Sequence, residues 1–405
     1  GKLWFTALLS LLFPATAESQ YTYTTNFGTI TITGYTGAGG AITIPSIING
    51  LDVRSIGDFA FSTCYGLTSV TIPSSITSIG ERSFSNCDDL VSVVSGDNIT
   101  SIGEGAFEYS PQLAHFTIGR NVTILENFLF AGCSSLKNII IPSNVTSIGA
   151  YAFDNCNGLT NIIIPNSVMY LQDGAFSSCA SLTNVAIGSG VSIIGEFVFS
   201  GSTNLTSISV HTNNNAFSST GGVLFDKNKY SLIQCPEGKT GVYTIPGGVR
   251  SIEKYSLGGC AALMSVIIPN SVNSIGHGAF SGCRGLTGIE IPDSVWSIGE
   301  SAFDNCNSLT AVEIGDNIIL TIGDWAFSWC SNLAGVYFRG NAPSLEGEFV
   351  FGGSTNATVF HITGTTGWPT APNEWAGRPT ALTALSISPA STNVPSTAEV
   401  AGLSE

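Results

Sequence analysis

Residues 268–290 read IPNSVNSIGHGAFSGCRGLTGIE, and the chain then restarts the same phrase as IPDSVWSIGESAFDNCNSLT. The phrase recurs from about residue 42 to about residue 355. Its anchor phenylalanine stands at Phe61 and every 23 residues thereafter as far as Phe199. It resumes at Leu257, Phe280, Phe303, Phe327 and Phe351. A fixed period of this size marks a chain of stacked coils. At 405 residues, two or three globular domains would otherwise be expected. A stack of coils grows by addition and has no such limit.

Within one unit the periodicity changes twice. Val272 and Ile275 sit three apart in a segment that ends at Gly276. Ala279, Phe280, Cys283 and Leu286 follow at spacings of one, three and three, which predicts a helical turn or two with one buried face. Ile289 and Ile291 then alternate with Glu290, the pattern of a short strand, and Pro292 closes it. The layout predicts an α/β solenoid of the leucine-rich-repeat kind. It would be a right-handed stack of about 12 coils of 23 residues, with a parallel sheet on one face and short helical turns on the other.

The rest of the chain is read around that stack. Lys2, the apolar run LWFTALLSLLF, Pro14 and the triplet Ala15-Thr16-Ala17 have the form of a truncated secretory signal peptide, residues 1–17. Residues 18–41 alternate Thr and Tyr with Ile and predict an N-terminal strand cap, which an open solenoid end requires. The solenoid occupies 42–355. It is interrupted at 211–246, where Val223-Leu224-Phe225 and Leu232-Ile233 flank a polar turn and predict a projecting β-hairpin. Residues 356–383 read as a C-terminal cap, and 384–405 as a linker or the start of a truncated domain.

The phrase I-P-x-S-V-x-S-I-G-x-x-A-F-x-x-C-x-x-L-T-x-V is specific. Carried by Ile72-Pro73, Ile79-Gly80, Phe84, Cys87 and Leu90 and by their later equivalents, it closely resembles the BspA-type, or Treponema-type, bacterial leucine-rich repeat. The resemblance covers roughly residues 21–382. It is broken locally where Gly becomes Glu126, Gln172 and Glu253, and where Cys becomes Ser110, Ser202 and Ser354. The tail LSISPASTNVPSTAEVAG resembles the start of a BACON-type module of secreted bacterial proteins. The family resemblance implies a secreted or cell-surface protein that adheres to a protein ligand on a host or neighbouring cell. It carries over no catalytic residue.

Composition narrows the function further. Net charge is −15 and charged residues make up only 10%. With no basic stripe, a nucleic-acid partner is not expected. Beyond the leader no apolar run approaches the length of a spanning helix. No C-x-x-C pair, phosphate-binding loop or H-E-x-x-H motif is present, so neither metal nor cofactor is expected. His115, His211, His277 and His361 fall in different repeats without a recurring nucleophile, and the chain is not read as an enzyme. The ten cysteines are mostly successive members of one ladder, whose side chains run parallel; they are expected as buried thiols, with Cys235 outside the ladder as the reactive one.

Candidate partner-binding residues are the outward strand positions. The distinctive ones are Asn138, Ile140, Asn161, Ile163, Ile267, Glu290, Glu313 and Tyr337. Trp325 and Trp329, four apart, replace the Ser301 and Asn305 of the preceding unit. They are expected to pack beneath the C-terminal cap with Trp368 and Trp375, or else to stand exposed and anchor a sugar or protein. Adhesion or protein binding through the sheet face is the expected function. The alternative is a carbohydrate-directed region attached to a missing enzyme or anchor domain.

Overall fold

The structure, a computed structural model, describes residues 17–317, 319–345, 347–369 and 374–383. The body of the expected signal peptide and the BACON-like tail lie outside these residues. The chain divides into two compact units, Gly1–Gly158 and Leu159–Glu405.

In the first unit an antiparallel hairpin, Tyr21–Asn26 with Thr29–Tyr35, opens the fold. Its second strand pairs in parallel with Leu51–Ile56, which starts a ladder continued by Ser78–Ile79 and Ser101–Ile102. A second parallel ladder joins Gly40–Thr43, Leu67–Ile72, Ser92–Ser95 and His115–Phe116. In the second unit, Asn161–Ile164, Asn184–Ile187 and Ser207–Val210 run in parallel. Further along, Gly288–Ile291, Ala311–Ile314, Gly335–Phe338, Thr358–Ile362 and Arg378–Thr383 do the same. The parallel coils number about 15, not 12. The anchor residues miss three: one begun by Thr29–Tyr35, one formed by the insert, and one closed by Arg378–Thr383.

The expected helical turns are absent. Among the described residues the only helix is the short 3-10 turn Ala17–Gln20. The A-F-x-x-C-x-x-L stretch instead makes consecutive tight turns, and its backbone bonds run largely between coils. Phe61, Phe84 and Phe107 donate their N–H groups to the carbonyls of Ser83, Ala106 and Leu129 in the following coil, at 2.7–3.0 Å. Two residues per turn take left-handed φ, for example Phe59 at 58° and Thr63 at 59°. A spacing of three and four therefore reproduces the one-sided burial of a helix without its hydrogen bonds.

The core is a column of rings. In the first unit Phe61, Phe84, Phe107 and Phe130 stack at 4.8–5.5 Å with rings nearly parallel. In the second, Phe280, Phe303, Phe327 and Phe351 stack at 4.8–5.7 Å. Tyr35 stacks on Phe61 at one end of its column, and Trp375 meets Phe351 edge-on at the end of the other. The expected hairpin of the insert forms, Val223–Asp226 pairing antiparallel with Ser231–Gln234, but it does not project. Val223, Phe225 and Leu232 are wholly buried in the core of the second unit. Ser231–Gln234 pairs in parallel with Ser251–Ile252 and so acts as a coil strand itself.

The ten cysteines are free thiols. Cys87, Cys133 and Cys156 each point Sγ at the carbonyl of the phenylalanine 26 residues earlier, at 3.1–3.2 Å. Burial pushes the thiols of Cys87 and Cys133 up to about 12. Cys235 is wholly buried beside Cys260, which overturns its reading as the reactive thiol: the insert returns it to the core. Cys64, half-buried, is the more accessible sulphur.

Candidate functional site

Strand alternation sends one side chain of each pair inward, and the outward ones form the candidate face. In the first unit Asn138 and Ile140 are exposed, Ile140 at 84%, on a stretch that belongs to no strand. In the second unit Asn161 and Ile163 lie on Asn161–Ile164, with Ile163 at 73%. Asn184 donates to the Asn161 side chain at 3.0 Å, and Ile163 faces Ala186 and then Ser209 across the ladder. Beside them lies a shallow apolar depression of about 350 Å³ that reaches His211.

The remaining strand candidates form a strip in the same unit. Glu290 faces Glu313, which faces Tyr337, which faces Phe360. Ile267 ends the neighbouring strand Leu263–Ile267 and is 45% exposed. Tyr337 and Phe360 stack at 4.8 Å, with rings 10° apart. The Tyr337 ring folds back over Gly335, where a Cβ would come within 2.6 Å of it. Arg339 pairs with Glu290 and Asp293, each at 3.2 Å. Burial first, and the Glu290 charge second, hold the Glu313 carboxyl above its usual range, against the lowering pull of Arg339. Burial also raises the Tyr337 hydroxyl, with Glu313 adding to the shift. The strip is thus an aromatic pair beside two carboxylates, one of them held toward its protonated form. Phe360 and Arg339 were missed in the sequence. The signal for Phe360 was its place one unit beyond Tyr337.

Trp325 and Trp329 are not on this face. They occupy the two left-handed positions of one turn, at φ 57° and 52°. Trp325 stacks on Phe349 at 4.9 Å, while Trp368 and Trp375 pack with each other and with Phe338. Packing beneath the cap is thereby excluded: the two tryptophans are 37% and 58% exposed, and Phe349 is 62%. Gly352 and Gly353 let the indoles lie against the backbone, for a Cβ there would come within 2.6 and 2.8 Å of the rings. The histidines are dispersed. His361 stacks on Trp368, and His277 lies against Tyr255 with Glu300 at 3.6 Å. Among the described residues no group of three or more His, Cys, Asp or Glu is placed to hold a metal ion. No helix among them is long and apolar enough to cross a membrane.

Parallel strands joined by tight turns around a column of phenylalanine, leucine and thiol define a leucine-rich-repeat solenoid. The chain belongs to the BspA-type leucine-rich-repeat family, whose profile, described as a BspA type leucine rich repeat region (6 copies), matches residues 40–157, 124–241 and 250–366. A leucine-rich cell surface protein from Faecalibacterium prausnitzii A2-165 is 32% identical, with 85% of this chain and 94% of that one aligned at a TM-score of 0.71. A leucine-rich repeat protein from Bacteroides ovatus ATCC 8483 is 26% identical over 84% and 83% of the two chains, at 0.50. The pneumococcal vaccine antigen PcpA shares the fold at 20% identity, over 85% and 92%, at 0.62. No curated protein matches the sequence.

Proposed function

We propose that the chain is a non-catalytic binding protein, secreted or displayed at the cell surface, which engages a protein ligand on a host or neighbouring cell through its sheet face. The observation that carries this reading is the strip Ile267, Glu290, Glu313, Tyr337 and Phe360, where the early coils of the first unit present Ser69, Thr71 and Ser92. An aromatic pair flanked by charge is the composition of an interface centre. The likeness to a cell surface protein from F. prausnitzii supports the location. The chain, immobilised and challenged with extracellular matrix proteins, is expected to retain at least one of them. Tyr337→Ala combined with Glu313→Lys should weaken that binding by about tenfold or more, while Ser69→Ala leaves it unchanged. Equal binding by both variants sinks the assignment to this strip.

A second reading is favoured by one observation, the exposed platform of Trp325, Trp329 and Phe349. Flat aromatic faces take up sugar rings by apolar contact. On this reading the region is carbohydrate-directed and attached to an enzyme or anchor. A glycan array decides: saccharide binding abolished by Trp325→Ala and Trp329→Ala supports it, and binding confined to protein ligands removes it.

A further inference from the structure

The turn ladder of the second unit is interrupted once, and the interruption is a cleft. Before it, Gly174, Phe176 and Ser178 donate to the carbonyls of Glu196, Val198 and Ser200. After it, Tyr255, Leu257 and Gly259 donate to those of His277, Ala279 and Ser281. Between the two runs, three N–H groups (Phe197, Phe199, Gly201) should meet three carbonyls (Lys254, Ser256, Gly258), but the insert separates them. It repairs only part of the gap. The Cys235 N–H reaches the Ser256 carbonyl at 2.6 Å, and the Glu237 carboxylate accepts from the Gly201 N–H at 2.7 Å. Among the described residues the N–H groups of Phe197 and Phe199 and the carbonyls of Lys254 and Gly258 have no hydrogen-bond partner.

These groups line a cavity of about 760 Å³, within the range of ligand sites. Its wall carries Asp173, Glu196, Asp226, Glu237 and Glu253 against a single cation, Lys254. Lys254 pairs with Glu196 across the gap, and both are about half exposed, so the pair is a removable strut. Phe197 and Tyr255, 4.7 Å apart and tilted by 49°, stand at the same place. Glu237 is less than a tenth exposed; burial raises its carboxyl, and the Gly201 N–H partly offsets this. A cation seated beside it would favour its charged form.

We propose that this cleft is a binding site for an extended polypeptide segment bearing an arginine or lysine side chain. The segment's backbone would supply the missing rung of the turn ladder, and its cation would face the acidic wall. Strand addition to unpaired backbone groups gives affinity without sequence preference, and the side-chain pocket then selects. Arginine suits the site best, since its planar guanidinium stacks on an aromatic ring while bonding carboxylate. The site shares no residue with the sheet strip or the tryptophan platform, so either can fail without the other.

The test uses the whole chain and three labelled peptides. They are acetyl-Thr-Val-Arg-Val-Thr-amide, its analogue with Glu for Arg, and the Arg peptide N-methylated at alternate residues. Anisotropy should give the Arg peptide a Kd below about 1 mM and each analogue at least about tenfold weaker binding. Hydrogen exchange at the Phe197 and Phe199 amides should slow on addition of the Arg peptide alone. Lys254→Ala, on an exposed side chain that leaves thermal unfolding unchanged, should tighten binding several-fold by freeing Glu196. An Arg peptide that fails to bind overturns the proposal. So does one that binds without slowing the two amides, or one that the Glu analogue matches.

Discussion

Replacing one ring of the phenylalanine column tests whether stability resides in coil-to-coil contact. Phe280 and Phe303 are both wholly buried, and both sit at the same place in their coils. They differ in neighbours. Phe303 stacks on Phe280 at 4.8 Å and on Phe327 at 5.2 Å, whereas the coil before Phe280 offers Leu257 instead of a ring. Truncation of a buried phenylalanine costs about 3–5 kcal/mol through lost transfer energy and the cavity left behind. Each aromatic pair adds about 0.5–1.5 kcal/mol beyond area burial. Phe303→Ala should therefore fall at the upper end, about 1 kcal/mol beyond Phe280→Ala, the worth of one ring pair. Urea unfolding followed by circular dichroism measures both variants. The double variant should cost less than the two singles together by about the same amount, because the shared pair is lost only once. Equal costs, or strict additivity, would refute the idea that ring-on-ring contact joins the coils.

Three further outcomes follow from single sites. The Ser110 hydroxyl donates to the Phe84 carbonyl at 2.8 Å and accepts from the Cys87 N–H at 3.2 Å. Ser110→Ala should then cost about 1–3 kcal/mol in chemical denaturation, with Ser110→Cys recovering most of it. Alkylation of the native protein at pH 8, followed by peptide mapping, should mark Cys64 first and leave Cys87, Cys133 and Cys235 unlabelled until denaturant is added; rapid labelling of Cys235 contradicts its burial. The Glu313 carboxyl is raised in the folded protein above its ordinary 4.5, so the folded state holds that proton longer than the unfolded one. Its destabilising charge is absent at acid pH and develops as pH rises through that raised value. Glu313→Gln should thus raise Tm at pH 7 more than at pH 3.5, and the opposite order refutes the assignment.

The repeat made the coil interior legible because burial there is set by residue type. Val272, Ile275, Phe280, Cys283 and Leu286 are all buried. Hydrogen bonding was not legible from the same letters. A buried residue at every third or fourth position is common to a helix and to chained tight turns. The discriminating feature, left-handed φ, falls on Gly278, Gly282, Asn155 and Asn305 but at the same two positions also on Phe59, Tyr255 and Trp325, so residue type does not mark it from coil to coil. The tryptophans belong to the same misreading: they take the two left-handed positions of one such turn and stay exposed there. Of the candidate strip, Glu290, Glu313 and Tyr337 could be found by alternation, because strand register follows the repeat. The cleft could not. Its decisive groups are backbone atoms of Phe197, Phe199, Lys254 and Gly258, which no side-chain pattern reports.

The thiol ladder also acts as a gauge of coil length. Cys306 reaches back 26 residues to the Phe280 carbonyl, and Cys330 reaches back 27 to that of Phe303, at the same 3.1 Å. The one-residue difference is absorbed elsewhere: Ile291 faces Ile314, 23 residues on, but Ile298 faces Ile322, 24 on. The additional residue therefore lies between Ile314 and Ile322, on the connection that leaves the strand. These coils thus have a rigid arc, from phenylalanine to leucine, and a slack arc opposite. The single added residue is taken up on the slack arc and the buried column keeps its alignment, whereas the long insert enters the column and breaks the turn ladder.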